Sequence, residues 1–371
     1  MKEFLNDQAV AERILHHMRE GSTDRGEEVW REPVANYRSE ERLDREIKQV
    51  LRRSPVPLCP SAALPEPGSY LAREAGHTPL LAVRGKDGVV RVFRNTCRHR
   101  GTQLTSGSGC AKALVCPYHG WAYGLDGALQ SIPHESGFPG LDKGTHGLVS
   151  VAAQERLGLV WVTQDDSVSN ENTWEGLPEL VGEGQELINM GETEVEANWK
   201  VYLEGFIEGY HIMPTHKETF YPYGFDNLNL VETVGRNSRI TYPFRRIEKL
   251  ADVPPQDRRV EGLLTYVYHL FPNAVVTVLS RHTNLVVLEP IDLNRTRVFN
   301  YSLTNSGGGA EAAALAKRDA AFVSETGAAE DLKVVTAIQR SIDSGANEVF
   351  SFGHFEALIA HFHRTLKAAL D

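Results

Sequence analysis

A chain of 371 residues is too long for one comfortable hydrophobic core, so two domains are expected. Its 41% hydrophobic and 24% charged residues are ordinary for a globular enzyme, and a net charge of −10 argues against a nucleic-acid partner, whose phosphates need a basic face. No apolar run reaches the ~18 residues that span a bilayer. The N-terminal MKEFLNDQAVAERILHHMRE is charged and amphipathic, with no signal core, so a cytoplasmic protein without a membrane partner is expected.

Residues 1–55 are expected to form a polar helical segment, either a solvated arm or a layer packed on a later domain. The Pro-rich SPVPLCPSAALPEPG (54–68) opens a second region, residues 56–165. There YLAREAG, TPLLAVRGKDG, VVRVFRN and LVSVAAQERLGLVWVTQ are short β-rich runs punctuated by Gly and Asp-Gly turns, predicting a small all-β domain. The polar DDSVSNENTWEGLP (165–178) marks a boundary, and residues 166–371 follow as an α+β domain. In it, ANWKVYLEGFIEGYHIMPTH (197–216) has a helical pattern stopped by Pro214. Strand-like runs occupy 229–305, SGGGA (306–310) is a flexible turn, and three helices are expected from 311 to the end.

Two motifs inside the β domain carry chemistry. CRHRG occupies 97–101 and CPYHGW occupies 116–121, with sixteen residues between His99 and Cys116. Four cysteines in the whole chain make no disulfide scaffold, and Cys59 and Cys110 lie outside the motifs. A zinc site needs only four tetrahedral ligands, but its usual knuckles pair Cys with Cys and His with His. One Cys and one His on each loop suits a [2Fe–2S] cluster in which Cys97 and Cys116 hold one iron and His99 and His119 hold the other. Trp121 and Tyr123 are placed to shield such a cluster, though an ordinary core role explains Trp121 as well. Arg91, Arg94, Arg98, Arg100 and Lys112 cluster nearby in an otherwise acidic chain, a candidate docking patch for an acidic electron donor.

A second candidate metal site lies in the 197–216 stretch. Glu208 and His211 are three residues apart, on one face if the helix is continuous. His216 lies beyond Pro214, where a bend would bring it back towards His211. Two histidines near a break, with an acid upstream, fit part of a two-histidine, one-carboxylate iron site. The remaining histidines, His16, His17, His269, His282, His354, His361 and His363, read as surface or core residues, with His269 and His282 as weak pocket candidates. Tyr266, Tyr268 and Leu270 share one face of a predicted strand and could line an apolar pocket or a cage for a quaternary ammonium ion.

CRHRG…CPYHGW together with the acid–His–His string resembles the large, terminal oxygenase (alpha) subunits of the Rieske non-haem iron oxygenases, over roughly residues 65–345. The resemblance implies a Rieske domain followed by a helix-grip domain, in which an antiparallel sheet curves around a helix. It implies that His211 and His216 bind a mononuclear Fe(II) with a carboxylate from a late helix. AEDLKVVTAIQRSI (329–342) supplies that carboxylate as Asp331, or Glu330 one residue away. It implies that Glu208 joins His211 to a cluster histidine of the next subunit in a homotrimer. The implied activity is oxygenation of a small molecule with O2 and electrons from a separate NAD(P)H-dependent reductase, with or without a ferredoxin. An aromatic or other hydrophobic substrate is expected, with hydroxylation or N-demethylation of a quaternary ammonium or betaine compound as the alternative. A non-catalytic Rieske electron carrier is the rival from another class.

Overall fold

The Pro-rich stretch at residues 54–68, which contains the strand Val56–Pro60 rather than only irregular chain, opens a self-contained region that closes before the polar run after residue 164. In the computed structural model, residues 51–169 form one compact unit, and residues 1–50 with 170–371 form another. The structure describes residues 3–165, 173–305 and 309–371. Half of the polar boundary run, residues 166–172, and the start of the SGGGA stretch therefore lie outside the described residues, and the next helix begins at Gly309.

The smaller unit is built on a seven-stranded antiparallel sheet. Its order is Val56–Pro60, Leu159–Thr163, Ser150–Arg156, Val90–Arg94, Thr78–Arg84, Ser69–Ala75, Gly107–Cys110. A three-stranded sheet, Leu114–Val115, Ala122–Tyr123 and Leu129–Ser131, carries the second motif between its first two strands. Leu81, Val83, Phe93, Leu104, Leu114, Trp121 and Tyr123 pack into a core that also takes in Cys97 and Cys116. Burying the two cysteines holds their loops against a rigid base.

The larger unit has its own seven-stranded antiparallel sheet, ordered Leu187–Val195, Thr296–Thr304, His282–Pro290, Ala274–Val278, Leu264–Leu270, Asn237–Pro243, Leu230–Val234. All but the first strand follow one another as a meander. Leu187–Val195 carries no strand signal in the sequence, because most of its side chains are exposed and it alternates poorly at the sheet edge. Helices Gly309–Glu325, Gly327–Ile342 and Ala357–Leu370 follow, as the sequence pattern predicts.

The N-terminal segment departs from the all-helical expectation. Asp7–Glu20 is a helix capped by Asn6, but Trp30–Pro33 is a strand paired with Val349–Phe352. The segment packs into the larger unit rather than forming a solvated arm. Lys200 Nζ lies 2.8 Å from Glu46 Oε1, both side chains almost wholly buried, and the Trp199 indole donates to Glu46. Tyr37 Oη donates to Glu204 Oε1 at 2.6 Å, and His363 Nε2 also meets that carboxylate. A buried ion pair of this kind is stable only while both partners remain.

The 197–216 stretch also differs from one helix broken at Pro214. Asn198 caps a helix over Trp199–Glu204, which ends at Gly205. A second short helix, Ile212–Thr215, contains Pro214 within its first turn, where a missing N–H costs nothing. The break therefore precedes Glu208. Beyond it, Gly209 packs where a Cβ would stand 2.5 Å from the amide of Asn229.

Candidate metal centres

The two cluster loops share one backbone design despite their different spacing. Four residues after each cysteine stands a glycine with left-handed φ, Gly101 at 81° and Gly120 at 74°, a conformation costly for any side chain. Gly101 N donates to Cys97 O and Gly120 N donates to Cys116 O, each at 3.0 Å. Cys97 N donates to Thr102 O and Cys116 N to Trp121 O, each at 2.8 Å. Each loop thus wraps its own cysteine in the same way and offers one His beside it.

The imidazoles of His99 and His119 lie 4.6 Å apart between ring centroids. His99 stacks on Trp121 at 4.9 Å and 6° between planes, with Phe138 edge-on to both rings. Its Nδ1 is buried without a hydrogen-bond partner. Burial first, then the neighbouring His119 and Arg100, hold His99 below the ordinary histidine range, which favours the neutral, ligating form. Cys97 and Cys116 are buried free thiols. Two buried thiols and two adjacent imidazoles, one of them an orphaned buried acceptor, fit a cluster held by two Cys and two His.

Tyr123 does more than exclude water. Its hydroxyl lies 3.3 Å from Cys97 Sγ and accepts the Arg98 amide at 2.9 Å. Burial first, then Cys97, push its pKa well above the ordinary tyrosine value, so it stays a donor to the sulfur. In the basic cluster, Arg91 is paired with Asp87 at 2.7 Å, Arg98 donates to Gly147 O, and Arg100 lies against Tyr118. Lys112 is exposed.

In the larger unit, His211, His216 and Asp331 converge, each offering a ligand atom within 4.8 Å of the others. Asp331 Oδ1 stands 2.9 Å from His216 Nε2 and 3.5 Å from His211 Nε2. The other ring nitrogen of each histidine is already engaged. Glu208 Oε1 makes a short contact with His211 Nδ1, while Glu208 Oε2 accepts the amides of Tyr210 and His211. Glu330 Oε2 lies 2.8 Å from His216 Nδ1. The adjacent carboxylates thus divide their work. Asp331 faces both Nε2 atoms and Glu330 stands behind one ring. Burial pushes both histidines down, but the surrounding carboxylates outweigh it and leave both above the ordinary range. Two Nε2 atoms and a carboxylate suit an Fe(II) site.

Two residues outside the expected ligand set shape this site. Tyr242 Oη donates to Glu208 O at 2.8 Å and to Phe206 O at 3.3 Å, fixing the turn that carries Glu208. Gln339 Oε1 accepts the Asn198 amide at 2.7 Å, tying the late helix to the start of the Trp199–Glu204 helix. A tyrosine alternating along a strand and a glutamine eight residues after Asp331 were the only available signals.

Strand register corrects the expected pocket. Cross-strand partners share a sheet face, and alternate residues of a strand share one too. The pairs Tyr242–Thr265, Val267–Thr277, Thr277–Asn284, Val286–Asn300 and His282–Thr304 therefore place Tyr242, His282, Asn284 and Asn300 on one face, towards the metal triad. Tyr266 and Tyr268 belong to the opposite face. There Tyr266 Oη donates to Asp7, and the Arg239 guanidinium lies 4.6 Å and 5.6 Å from the two ring centroids. The aromatic pair is already filled by an arginine and does not line the site. His269 and His282 do lie on the triad side. His269 is fully buried, and that burial holds its pKa down at about 4, while His282 Nδ1 pairs with Asp319 at 3.1 Å.

Comparison with known proteins agrees with these two centres. Residues 54–146 match the Rieske [2Fe–2S] domain and residues 186–371 match the ring hydroxylating alpha subunit catalytic domain. The carnitine monooxygenase oxygenase subunit of Acinetobacter baumannii is 26% identical over 91% of this chain and 95% of its own length. The large oxygenase component of the naphthalene 1,2-dioxygenase system of Pseudomonas aeruginosa is 35% identical over 48% of this chain and 42% of its own. Among solved structures, a quaternary ammonium Rieske monooxygenase in complex with L-carnitine superposes with a TM-score of 0.78 at 22% identity, covering 100% of this chain and 99% of that one. Naphthalene 1,2-dioxygenase with indole bound gives 0.76 at 21% identity, covering 92% of each chain. The chain belongs to the ring hydroxylating alpha subunit family: it is a Rieske oxygenase large subunit, with a [2Fe–2S] cluster and a mononuclear iron as its cofactors.

Proposed function

We propose that this terminal oxygenase acts on a small quaternary ammonium or betaine-type molecule, and that His211, His216 and Asp331 hold its mononuclear iron. When bound, the cluster and the iron supply electron transfer and dioxygen activation. Cys97, His99, Cys116 and His119 hold the first group, and Tyr123 tunes it by donating to Cys97 Sγ. Glu208 orients His211 through Nδ1 and leaves Nε2 facing Asp331. Electrons come from a separate reductase, with or without a ferredoxin. The functional assembly is a homotrimer in which Glu208 also meets a cluster histidine of the next subunit.

The observation that carries the substrate class is the polarity of the sheet face on the triad side. Asn284 Oδ1, Asn300 Oδ1 and His282 Nε2 are buried there without hydrogen-bond partners. Polar groups of this kind make the face a poor wall for a pure hydrocarbon and favour a substrate with a polar tail. Nearer the triad, the rings of Tyr202 and Phe206 meet at 5.3 Å and Phe220 packs on His216, apolar and π-rich surface suited to a methylated cationic head. Alignment with carnitine monooxygenase subunits along more than nine-tenths of the chain supports the same class.

A panel of trimethylammonium carboxylates and bicyclic aromatics, supplied with NADH, O2 and a surrogate reductase, tests this by product mass. Oxygen-dependent product from the betaine arm is expected. Turnover of aromatic hydrocarbons alone would overturn the substrate class while leaving the oxygenase intact.

A further inference from the structure

Glu330 is not needed as a metal ligand once Asp331 takes that place, yet its carboxylate is held by two side chains of another segment. Its Oε2 accepts from His216 Nδ1 at 2.8 Å and from Thr219 Oγ1 at 2.6 Å. Beside it, the Phe220 ring lies 4.8 Å from the His216 ring and fills the space where a Cβ on Gly327 would stand, only 2.0 Å away. Thr219 N and Tyr221 N both donate to His216 O. Three contacts thus fasten the 216–220 segment onto the first turn of the Gly327–Ile342 helix: Glu330 to His216, Glu330 to Thr219, and Phe220 over Gly327.

We propose that Glu330, seated by Thr219, is a positioning residue for the mononuclear iron site. It holds His216 in the tautomer whose Nδ1 carries the hydrogen, and so presents Nε2 to the metal. It also locks together the two chain segments that supply His216 and Asp331, which lie 115 residues apart. A histidine ligand needs its second nitrogen anchored, and loss of such an anchor typically weakens metal binding 10–100-fold. His211 has its anchor within its own turn, in Glu208. His216 takes its anchor from the same helix that delivers the third ligand, so helix docking and ligand orientation are one event. The proposal rests on the reading that His211, His216 and Asp331 hold the iron.

The test uses the full-length protein with its cluster intact and the mononuclear site emptied by a mild chelator, then titrated with Co(II). The unaltered chain should bind one Co(II) outside the cluster. Glu330→Ala should bind it about 10–100-fold more weakly, with shifted ligand-field bands at saturating metal and an unchanged cluster spectrum. Glu330→Gln, whose carbonyl still accepts from Nδ1, should recover most of the affinity and the original bands. Thr219→Val should weaken binding less than Glu330→Ala, in the same direction. Wild-type affinity and bands in Glu330→Ala would overturn the proposal. So would a Gln variant no better than Ala, which would leave only a helix-docking role. Tight binding retained in Asp331→Ala and lost in Glu330→Ala would make Glu330 the ligand itself. No Co(II) uptake by the unaltered chain would instead overturn the underlying ligand assignment.

Discussion

The two metal centres are built in opposite ways. The cluster site comes from two loops within 25 residues, each with its cysteine, its histidine and its left-handed glycine in one short string. The iron site joins a broken helical stretch at 208–216 to a helix that begins at Gly327, and its geometry depends on Gln339, Tyr242 and Glu330 as much as on the ligands. A site encoded locally tolerates change elsewhere in the unit. A site assembled across the fold is sensitive to every contact that docks its parts. Substitutions in the larger unit should therefore reach the iron site from a distance, while the cluster should respond only to its own loops.

The largest contrast comes from the ligands. Asp331→Ala or His216→Ala should abolish turnover and metal uptake at the mononuclear site while leaving the visible spectrum of the cluster intact. The complementary change, His99→Cys or His119→Cys, should keep a cluster but lower its potential, because histidine ligation is what raises it. A mutant cluster with the original potential and spectrum would count against these residues as ligands.

Breaking the buried ion pair comes next. Lys200→Ala removes one of the two cations on the buried Glu46, which keeps Arg42 at 3.0 Å and the Trp199 indole, and should destabilise the larger unit by about 1.5–3 kcal/mol. Differential scanning calorimetry should show that unit's transition falling while the cluster absorbance is lost at an unchanged temperature. A joint shift of both would show that the two regions do not differ as described.

The same contrast governs what could be read from the amino acids. Cys97, His99, Cys116 and His119, the proposed cluster ligands, are legible because the whole set lies in two strings of a spacing that suits a cluster. His211 and His216 are half legible, since their spacing points to metal but not to the path of the chain between them. The expected helix through Glu208 ends at Gly205, and helix resumes only at Ile212. The choice between Asp331 and Glu330 is invisible in sequence. It depends on which way each side chain leaves the first turn of its helix, and that is set by Thr219 and His216. The face of Tyr266 and Tyr268 was equally hidden, because alternation gives two faces without saying which one meets the helices.

Glu208→Gln separates the centres kinetically. It should retain both metals and the assembled oligomer and lose most turnover, with fast cluster reduction by the donor and slow reoxidation in the presence of substrate and O2. Reoxidation at the wild-type rate would remove Glu208 from the path between centres. The smallest effect is expected at Tyr123. Tyr123→Phe deletes one hydrogen bond to Cys97 Sγ, worth about 1 kcal/mol, and should lower the cluster potential by about 40 mV for a one-electron couple. The iron site should not register the change, and altered Co(II) binding in this variant would blur the separation.

The central claim is that one chain holds two distinct metal centres, one in each unit. Iron and acid-labile sulfide counted per chain, alongside electron paramagnetic resonance of the reduced cluster, test it directly. About three irons and two sulfides per chain are expected, falling to about two irons in His211→Ala with the cluster signal unchanged. About two irons in the unaltered protein, or a cluster signal lost together with the third iron, would contradict it.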